Sequence, residues 1–255
     1  MTAKLQFFGV AAYSIVTAAG QHVVIDPFLD RNPYSSVKSA DLEQVDLLLL
    51  THNAFDHFGD APEIIRKHRC PVVCAKDVMH HLVKYHAIDP DLFRVTIWGM
   101  VVEVAGVRVR PMESRHWSFA TMPDGQLLSG PAMGFIFDAA PGVRLYHPGD
   151  TALTTDMKLW GELYRPTVGL MHVSLPEGEG VSLPHIECYK SGELTPQEAY
   201  LASQWLGLEH VIVSHYVDPN SVDVKDFLAV AQAQNRHDGL APKVTVMRPS
   251  EVIAL

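Results

Sequence analysis

Three residues that could do chemistry together fall within six positions, His52, Asp56 and His57, in the stretch THNAFDHFGDA at 51–61. Two imidazoles and a carboxylate supply the nitrogen and oxygen donors that a divalent cation such as zinc or manganese accepts. Further along, His116 follows VRVRPMES, Asp150 closes RLYHPGD and His215 closes HVIVSH. Each comes at the end of a strand-like run. Six candidate ligands, His52, Asp56, His57, His116, Asp150 and His215, would therefore converge on one rim of a β-core, where a rigid sheet mounts functional loops. Each also has an ordinary reading. His116 fits a surface histidine, Asp150 in PGDT a helix N-cap, and His215 a hydrogen-bonded histidine at a strand end. Their shared placement is what favours a metal centre.

The elements that must hold these residues are readable as periodicities. LLLL at 47–50 is a continuous apolar run, the mark of a strand buried on both faces. Strands are predicted at 5–8, 11–16, 22–25, 47–51, 72–75, 101–104, 107–112, 133–138, 144–147, 168–173, 211–214 and 244–247. Apolar residues at three- and four-residue spacing predict helices beginning at Gly59, Lys76, Thr151, Leu194 and Ser221. Thr195, with Pro196 next and Glu198 three residues on, is a capping box. Strands dominate the first half, strand and helix alternate later, and no low-complexity linker divides the chain. One mixed α and β domain over residues 1–255 is expected.

Composition narrows the function classes. A chain of 255 residues with 47% hydrophobic and 19% charged residues can bury a large core. Its net charge of −9 offers no basic field to phosphate backbones, so nucleic acid is not an expected partner. FFGVAAYSIVTAAG after Lys4 has the length of a signal peptide, but Gly9, Tyr13 and Ser14 interrupt it and it runs on into HVVIDPF. No window reaches the 18 or so apolar residues of a membrane span. Cys70, Cys74 and Cys188 are odd in number and fit neither a disulfide framework nor a metal knuckle; Cys70 and Cys74 read as small buried hydrophobes. The expectation is a cytoplasmic protein with a small-molecule substrate, no nucleic acid and no membrane, and with homo-oligomerisation left open.

THNAFDHFGD, His116, GDT at 149–151 and SHY at 214–216 resemble, in order and approximate spacing, the metallo-β-lactamase superfamily. The hallmark of that superfamily is H-x-H-x-D-H followed by a distant His, Asp and His. The opening GVAAYSIVTAAGQHVVIDPFLDRNP and GELTPQEA ahead of the last histidine look like the branch that includes ascorbate-6-phosphate lactonase. The resemblance covers nearly the whole chain. It implies an α+β fold, a four-layer αββα sandwich with metal at the shared edge of two sheets. It also implies a metal-dependent hydrolase, with a metal-activated water attacking an ester, lactone, amide, thioester or phosphoester.

Ala54 departs from the hallmark, because it stands where the second histidine belongs. The resemblance implies a first metal position held by His52, residue 54 and His116, and a second held by Asp56, His57 and His215, with Asp150 bridging. Alanine has no lone pair to donate. One tightly bound ion in the second position, zinc or manganese, is therefore expected, with the first position weakened. His147, His172 and His185 are the histidines that could compensate, and Asn53 is adjacent. Asp56 and His215 are expected at the reacting atoms, Asp56 orienting the water or shuttling its proton. Thr51 and Thr151 are expected to hydrogen-bond behind the ligands, and Asp60 either does so or starts a helix.

For the substrate, SRHWS around His116 and PEGEGVSLPHIECYKSGE at 176–193 would border the metal in such a fold. They offer Arg115, Trp117, His185 and Lys190 as contacts. The glycine-bearing loop reads as a lid or as a surface excursion. Arg115 and Lys190 would welcome a phosphate ester or acidic lactone, and Trp117 a hydrophobic acyl or aryl group. Two rival classes remain: a phosphodiesterase or nuclease of the same superfamily, which would need a basic face, and a non-catalytic binding protein with a degenerate metal site. The second accommodates Ala54 but gives no reason for the six candidate ligands.

Overall fold

Two seven-stranded sheets pack face to face, with helices on both outer sides. The computed structural model describes residues 2–173, 192–238 and 241–255. Cys188, His185, Lys190 and most of the 176–193 loop lie outside the described residues.

The first sheet runs through β1 (Lys4–Gly9), β2 (Ala12–Val16), β3 (His22–Ile25), β4 (Leu47–Leu49), β5 (Val72–Cys74) and β6 (Phe93–Val95) in that order. The second runs through β7 (Val102–Val104), β8 (Val107–Thr121), β9 (Leu127–Ala140), β10 (Val143–His147), β11 (Val168–His172), β12 (His210–Ser214) and β13 (Lys243–Thr245). β14 (Val252–Ala254) then returns to the first sheet and pairs with β1. Both sheets have the same plan, an antiparallel meander that becomes a parallel ladder, at β3 in the first and at β10 in the second. Parallel ladders need crossovers, and the helices supply them.

α1 (Phe55–Phe58), α2 (Ala61–His68) and α3 (Lys76–His86) follow strands of the first sheet; α4 (Asp156–Tyr164), α5 (Pro196–Leu206) and α6 (Val222–Asp238) belong to the second. Between the sheets, Leu47 and Leu49 pack in one cluster with Phe7, Ile25, Phe135 and Phe137. Leu48 and Leu50 belong to a separate cluster with Ile64, Ile65 and Leu82 of α2 and α3. The four leucines thus alternate between the sandwich interior and the helix layer, both dry, which is why the run shows no polar alternation. The four-layer αββα sandwich is the expected architecture. The Thr195 capping box is also present, with Glu198 N–H donating to Thr195 Oγ1 at 3.3 Å and Thr195 N–H donating to Glu198 Oε2 at 3.0 Å.

Several elements differ from expectation, each for a physical reason. β6 and β14 were not foreseen: they are three-residue edge strands, half exposed, too short to show a period. β8 and β9 run well past the predicted 107–112 and 133–138, forming a hairpin whose outer part leaves the core, with Trp117, Phe119 and Leu127 exposed. The helix expected from Thr151 begins only at Asp156. Ala152 N–H donates to Arg115 O, and Thr151 Oγ1 accepts from Arg115 N–H at 2.8 Å, so this stretch is tied alongside β8 and cannot coil. Asp150 is accordingly not an N-cap.

Cys70 and Cys74 are buried and free, and burial pushes the Cys70 thiol up to about 12 and the Cys74 thiol up as well. Among the described residues no helix is long and apolar enough to cross a membrane.

Candidate metal centre

The site lies where the C-terminal ends of parallel strands from both sheets meet, the position at which α/β sheets mount ligands. β4 leads to His52, Asp56 and His57, β10 leads to Asp150, and β12 leads to His215. Asp150 is the hub. Its carboxylate stands 3.1 Å from His57 Nε2, 3.4 Å from His215 Nε2, 3.8 Å from His52 Nε2 and 4.0 Å from His116 Nε2. Asp56 Oδ2 completes the group, 3.7 Å from His215 Nε2 and 3.8 Å from His57 Nε2.

His116 reaches this group differently from the others. It was expected after a strand and instead lies inside β8, at a bulge: Glu113 pairs with Met133 and Trp117 with Pro131, leaving Ser114, Arg115 and His116 opposite Ala132. A bulge re-aims a side chain out of the two-residue alternation, and here it sends His116 inward. Its imidazole is 5% exposed although Trp117 next to it is 58% exposed.

The imidazoles are oriented from behind. His57 Nδ1–H donates to Asp26 Oδ2 at 2.7 Å, His52 Nδ1–H to Thr51 Oγ1 at 3.0 Å, and His116 Nδ1–H to the Gly192 carbonyl at 3.3 Å. With Nδ1 engaged behind, each directs Nε2, the atom that would ligate a cation, toward Asp150. Such outer hydrogen bonds fix tautomer and ring orientation in metal sites. Asp26 is itself held by Thr51, whose hydroxyl donates to Oδ2 at 2.7 Å and whose N–H donates to Oδ1 at 2.9 Å. Thr51 therefore fills the role expected of it. Thr151 instead bonds Arg115 N–H and the Ala152 carbonyl, while Asp60 starts α2 as its N-cap residue, its carbonyl accepting from Ile64 N–H at 3.1 Å and its side chain taking the N–H groups of Leu29 and Asp30.

Backbone strain collects here. Val10, Asp26 and His215 all have positive φ, at 56°, 45° and 61°. For a β-branched valine this is a costly conformation, of order 1–3 kcal/mol, held only where the surroundings impose it. His215 N–H donates to Val10 O at 2.7 Å, and Val10 N–H to Tyr216 O at 3.1 Å, a bridge that joins the two sheets and points His215 at Asp150. Gly149, at φ 63°, is required as well: a Cβ there would press on Met133 O at 2.9 Å and on the Thr51 side chain.

Charge is unevenly distributed. Burial pulls His57 and His215 down, but the carboxylates around them, Asp150 foremost, outweigh it and hold both well above the usual imidazole value. His52 faces the opposite balance and is lowered to about 3, first by burial and then by His57; burial lowers His116 too. Burial raises Asp56 and Asp150, but the neighbouring imidazoles prevail, bringing Asp56 to about 2 and Asp150 well below the carboxylate range. A dry group of carboxylates with inward imidazole lone pairs draws positive charge.

All six expected ligands meet, and three sets of donor atoms lie mutually within 4.8 Å: His52, His116 and Asp150; Asp56, His57 and His215; and Asp150, Glu193 and His215. Among the described residues, His52 Nε2 is buried without a hydrogen-bond partner. Such a donor set fits a divalent cation. Glu193 was not among the expected ligands, although it ends the 176–193 segment expected to border the metal. Asp26 was also missed, although it ends an apolar strand as Asp150 does. Among the proposed compensating histidines, His147 is engaged at both nitrogens, donating to Ala11 O and accepting from Gly149 N–H. His172 Nε2 lies 3.0 Å from Leu194 N and 3.1 Å from Thr151 O. Ala54 precedes α1 with its methyl on the cavity wall.

That cavity, about 720 Å³, opens over Asp56, His116, Asp150 and Glu193 and is walled in part by Trp117. Arg115 does not line it. Its side chain is half exposed and lies 3.4 Å from Asp156 and 3.9 Å from Glu113, because at the bulge its neighbour His116 takes the inward position.

An αββα sandwich with a histidine and aspartate cluster at the shared sheet edge defines a protein of the metallo-β-lactamase type. Residues 21–216 match the family model described as the beta-lactamase superfamily domain. A UPF0173 metal-dependent hydrolase from Rubrobacter xylanophilus is 31% identical over 253 residues, covering 97% of this chain and 95% of that protein. The chain belongs to this superfamily and, within it, to the UPF0173 metal-dependent hydrolases. Among solved structures, Igni18, a metallo hydrolase from Ignicoccus hospitalis, superposes with a TM-score of 0.76 at 26% identity, covering 100% of this chain and 99% of that one. A metallo-β-lactamase fold protein from Bacillus subtilis shares the fold at 11% identity and a TM-score of 0.66, over 99% of both chains.

Proposed function

We propose that this metal-dependent hydrolase holds one divalent ion, zinc or manganese, tightly among Asp56, His57, His215 and Asp150, and cleaves an ester, lactone, amide or related bond of a small molecule. The observation that carries the reading is the convergence of four Nε2 atoms on the Asp150 carboxylate, between 3.1 and 4.0 Å away. His52 and His116 form a second, weaker corner with Asp150, short of a ligand because residue 54 is alanine. When bound, a divalent ion lowers the pKa of a coordinated water toward about 7 and polarises the oxygen of the bond to be cut.

The chain's own groups do the rest. Asp56, on the cavity wall and held ionised by His57 and His215, orients the attacking water and takes up its proton. Asp26 keeps the His57 proton on Nδ1 and so keeps Nε2 facing inward. Glu193, 3.9 Å from His215 Nδ1 and facing the same cavity, is a second carboxylate within reach of a departing group. Trp117 supplies an apolar wall beside His116.

A screen of p-nitrophenyl esters, homoserine lactones, phosphodiesters and acyl thioesters, with zinc, manganese and iron in turn, tests the proposal. Metal-dependent turnover of at least one class, removed by chelation and absent in Asp150→Ala, is expected. No turnover of any class together with no retained metal would make the chain a binding protein instead.

A further inference from the structure

A second group of buried polar side chains lies beyond the ligands, along the same cavity. Asn53, next to His52, sends its side-chain N–H to Asp77 Oδ2 at 2.8 Å, and Ser118 of β8 donates to the same oxygen at 2.6 Å. Asn53 N–H in turn donates to Ser118 Oγ at 3.1 Å. All three residues are buried, and β9 passes so close that a Cβ on Gly130 would overlap the Asp77 carboxyl. This locks the Asn53 amide one way round, since its carbonyl cannot face a carboxylate. The carbonyl oxygen therefore points at His81 Nδ1, 3.0 Å away.

An amide oxygen can only accept, so His81 must carry its proton on Nδ1. Nε2 is then left with a lone pair on the ring edge turned away from Asn53. Burial, reinforced by His86 and His80, holds His81 down to about 4, so the ring is neutral near pH 7. Stacking fixes its plane: the His81 and Phe58 centroids are 4.2 Å apart with an interplanar angle of 13°. His81 lines the cavity together with Phe55, Phe58, Trp117, Phe119 and Met122. Beside the charged lining of Asp30, Arg31, Asp60 and Glu63, an aromatic stretch of wall with an oriented acceptor in it suits a flat apolar ligand bearing a hydrogen-bond donor.

We propose that His81 is a specificity-determining residue, its Nε2 accepting a hydrogen bond from a hydroxyl or N–H on an aryl or similarly flat apolar substrate. This rests on the reading of the cavity as the substrate cavity of a hydrolase. Asn53, Asp77 and Ser118 are positioning residues that set the His81 tautomer and tie it to the ligand-bearing loop.

The test has two readouts, neither of them turnover. In protein labelled with 15N-histidine, the His81 ring signals, assigned by their loss in His81→Phe, show the Nδ1–H tautomer at pH 7. In direct binding to the protein as purified, 2-naphthol binds about three- to tenfold more tightly than 2-methoxynaphthalene, the worth of one hydrogen bond. His81→Phe keeps a ring on Phe58 and keeps 2-methoxynaphthalene binding but abolishes the preference; His81→Gln, which returns an acceptor, restores part of it. An Nε2–H tautomer, equal binding of the two probes, or a preference that survives in His81→Phe overturns the proposal. Absence of metal from the same preparation would instead count against the metal-dependent reading, and these results would stand apart from it.

Discussion

The Asp56, His57 and His215 corner of the cluster and the His52 and His116 corner share Asp150, yet they are built from different materials. The first is backed by a buried carboxylate, Asp26, and shaped by strained backbone at Asp26 and His215. The second is backed by neutral acceptors, the Thr51 hydroxyl and the Gly192 carbonyl, and shaped by a bulge in a long hairpin. The carboxylates concentrate on the first corner, so its imidazoles are raised while those of the second are lowered. Electrostatics and ligand count therefore agree: the field that attracts a cation and the fuller set of donors occupy the same corner, and Ala54 belongs to the other.

The comparison can be broken by substitution. The largest effects are expected for Asp150→Ala and His215→Ala, which should each remove bound metal and activity together; metal retained by Asp150→Ala would contradict its place as hub. His57→Ala should also lose the tight ion, whereas His116→Ala should keep it, and metal analysis of this pair reads the asymmetry directly. Next, Asp26→Asn keeps the shape behind His57 but removes the charge, and should weaken metal binding about 10- to 100-fold in a chelator competition assay. Ala54→His, on a cavity-lining position, should strengthen the second corner so that a further ion survives dialysis, with the first ion's affinity little changed. The smallest effect is expected at Lys158, an exposed residue of α4 that lies over the Trp205 ring at 4.4 Å: Lys158→Ala should leave metal content unchanged and cost only about 0.5 kcal/mol of stability.

The same contrast explains what could be read from the sequence. His52, Asp56, His57, Asp150 and His215 follow apolar runs that form strands on their own periodicity, so residue type and position sufficed to place them. His116 was placed among the ligands for the wrong local reason, because a bulge depends on the register of the partner strand and leaves no mark on its own segment. Asp26 obeyed the strand-end rule and could have been found by it. The Asn53, Asp77, Ser118 and His81 network could not, since its contacts join positions up to 65 residues apart whose types are unremarkable one by one. Arg115 was expected to face substrate, but which of two neighbours a bulge turns inward is decided by packing.

The central claim is the inequality of the two corners, and the metal content of wild-type protein, purified without added metal and dialysed, tests it most directly by elemental mass spectrometry. The account predicts about one equivalent of zinc or manganese per chain, with a second ion taken up only at higher free metal. Two equivalents held equally through dialysis, or none at all, would contradict it.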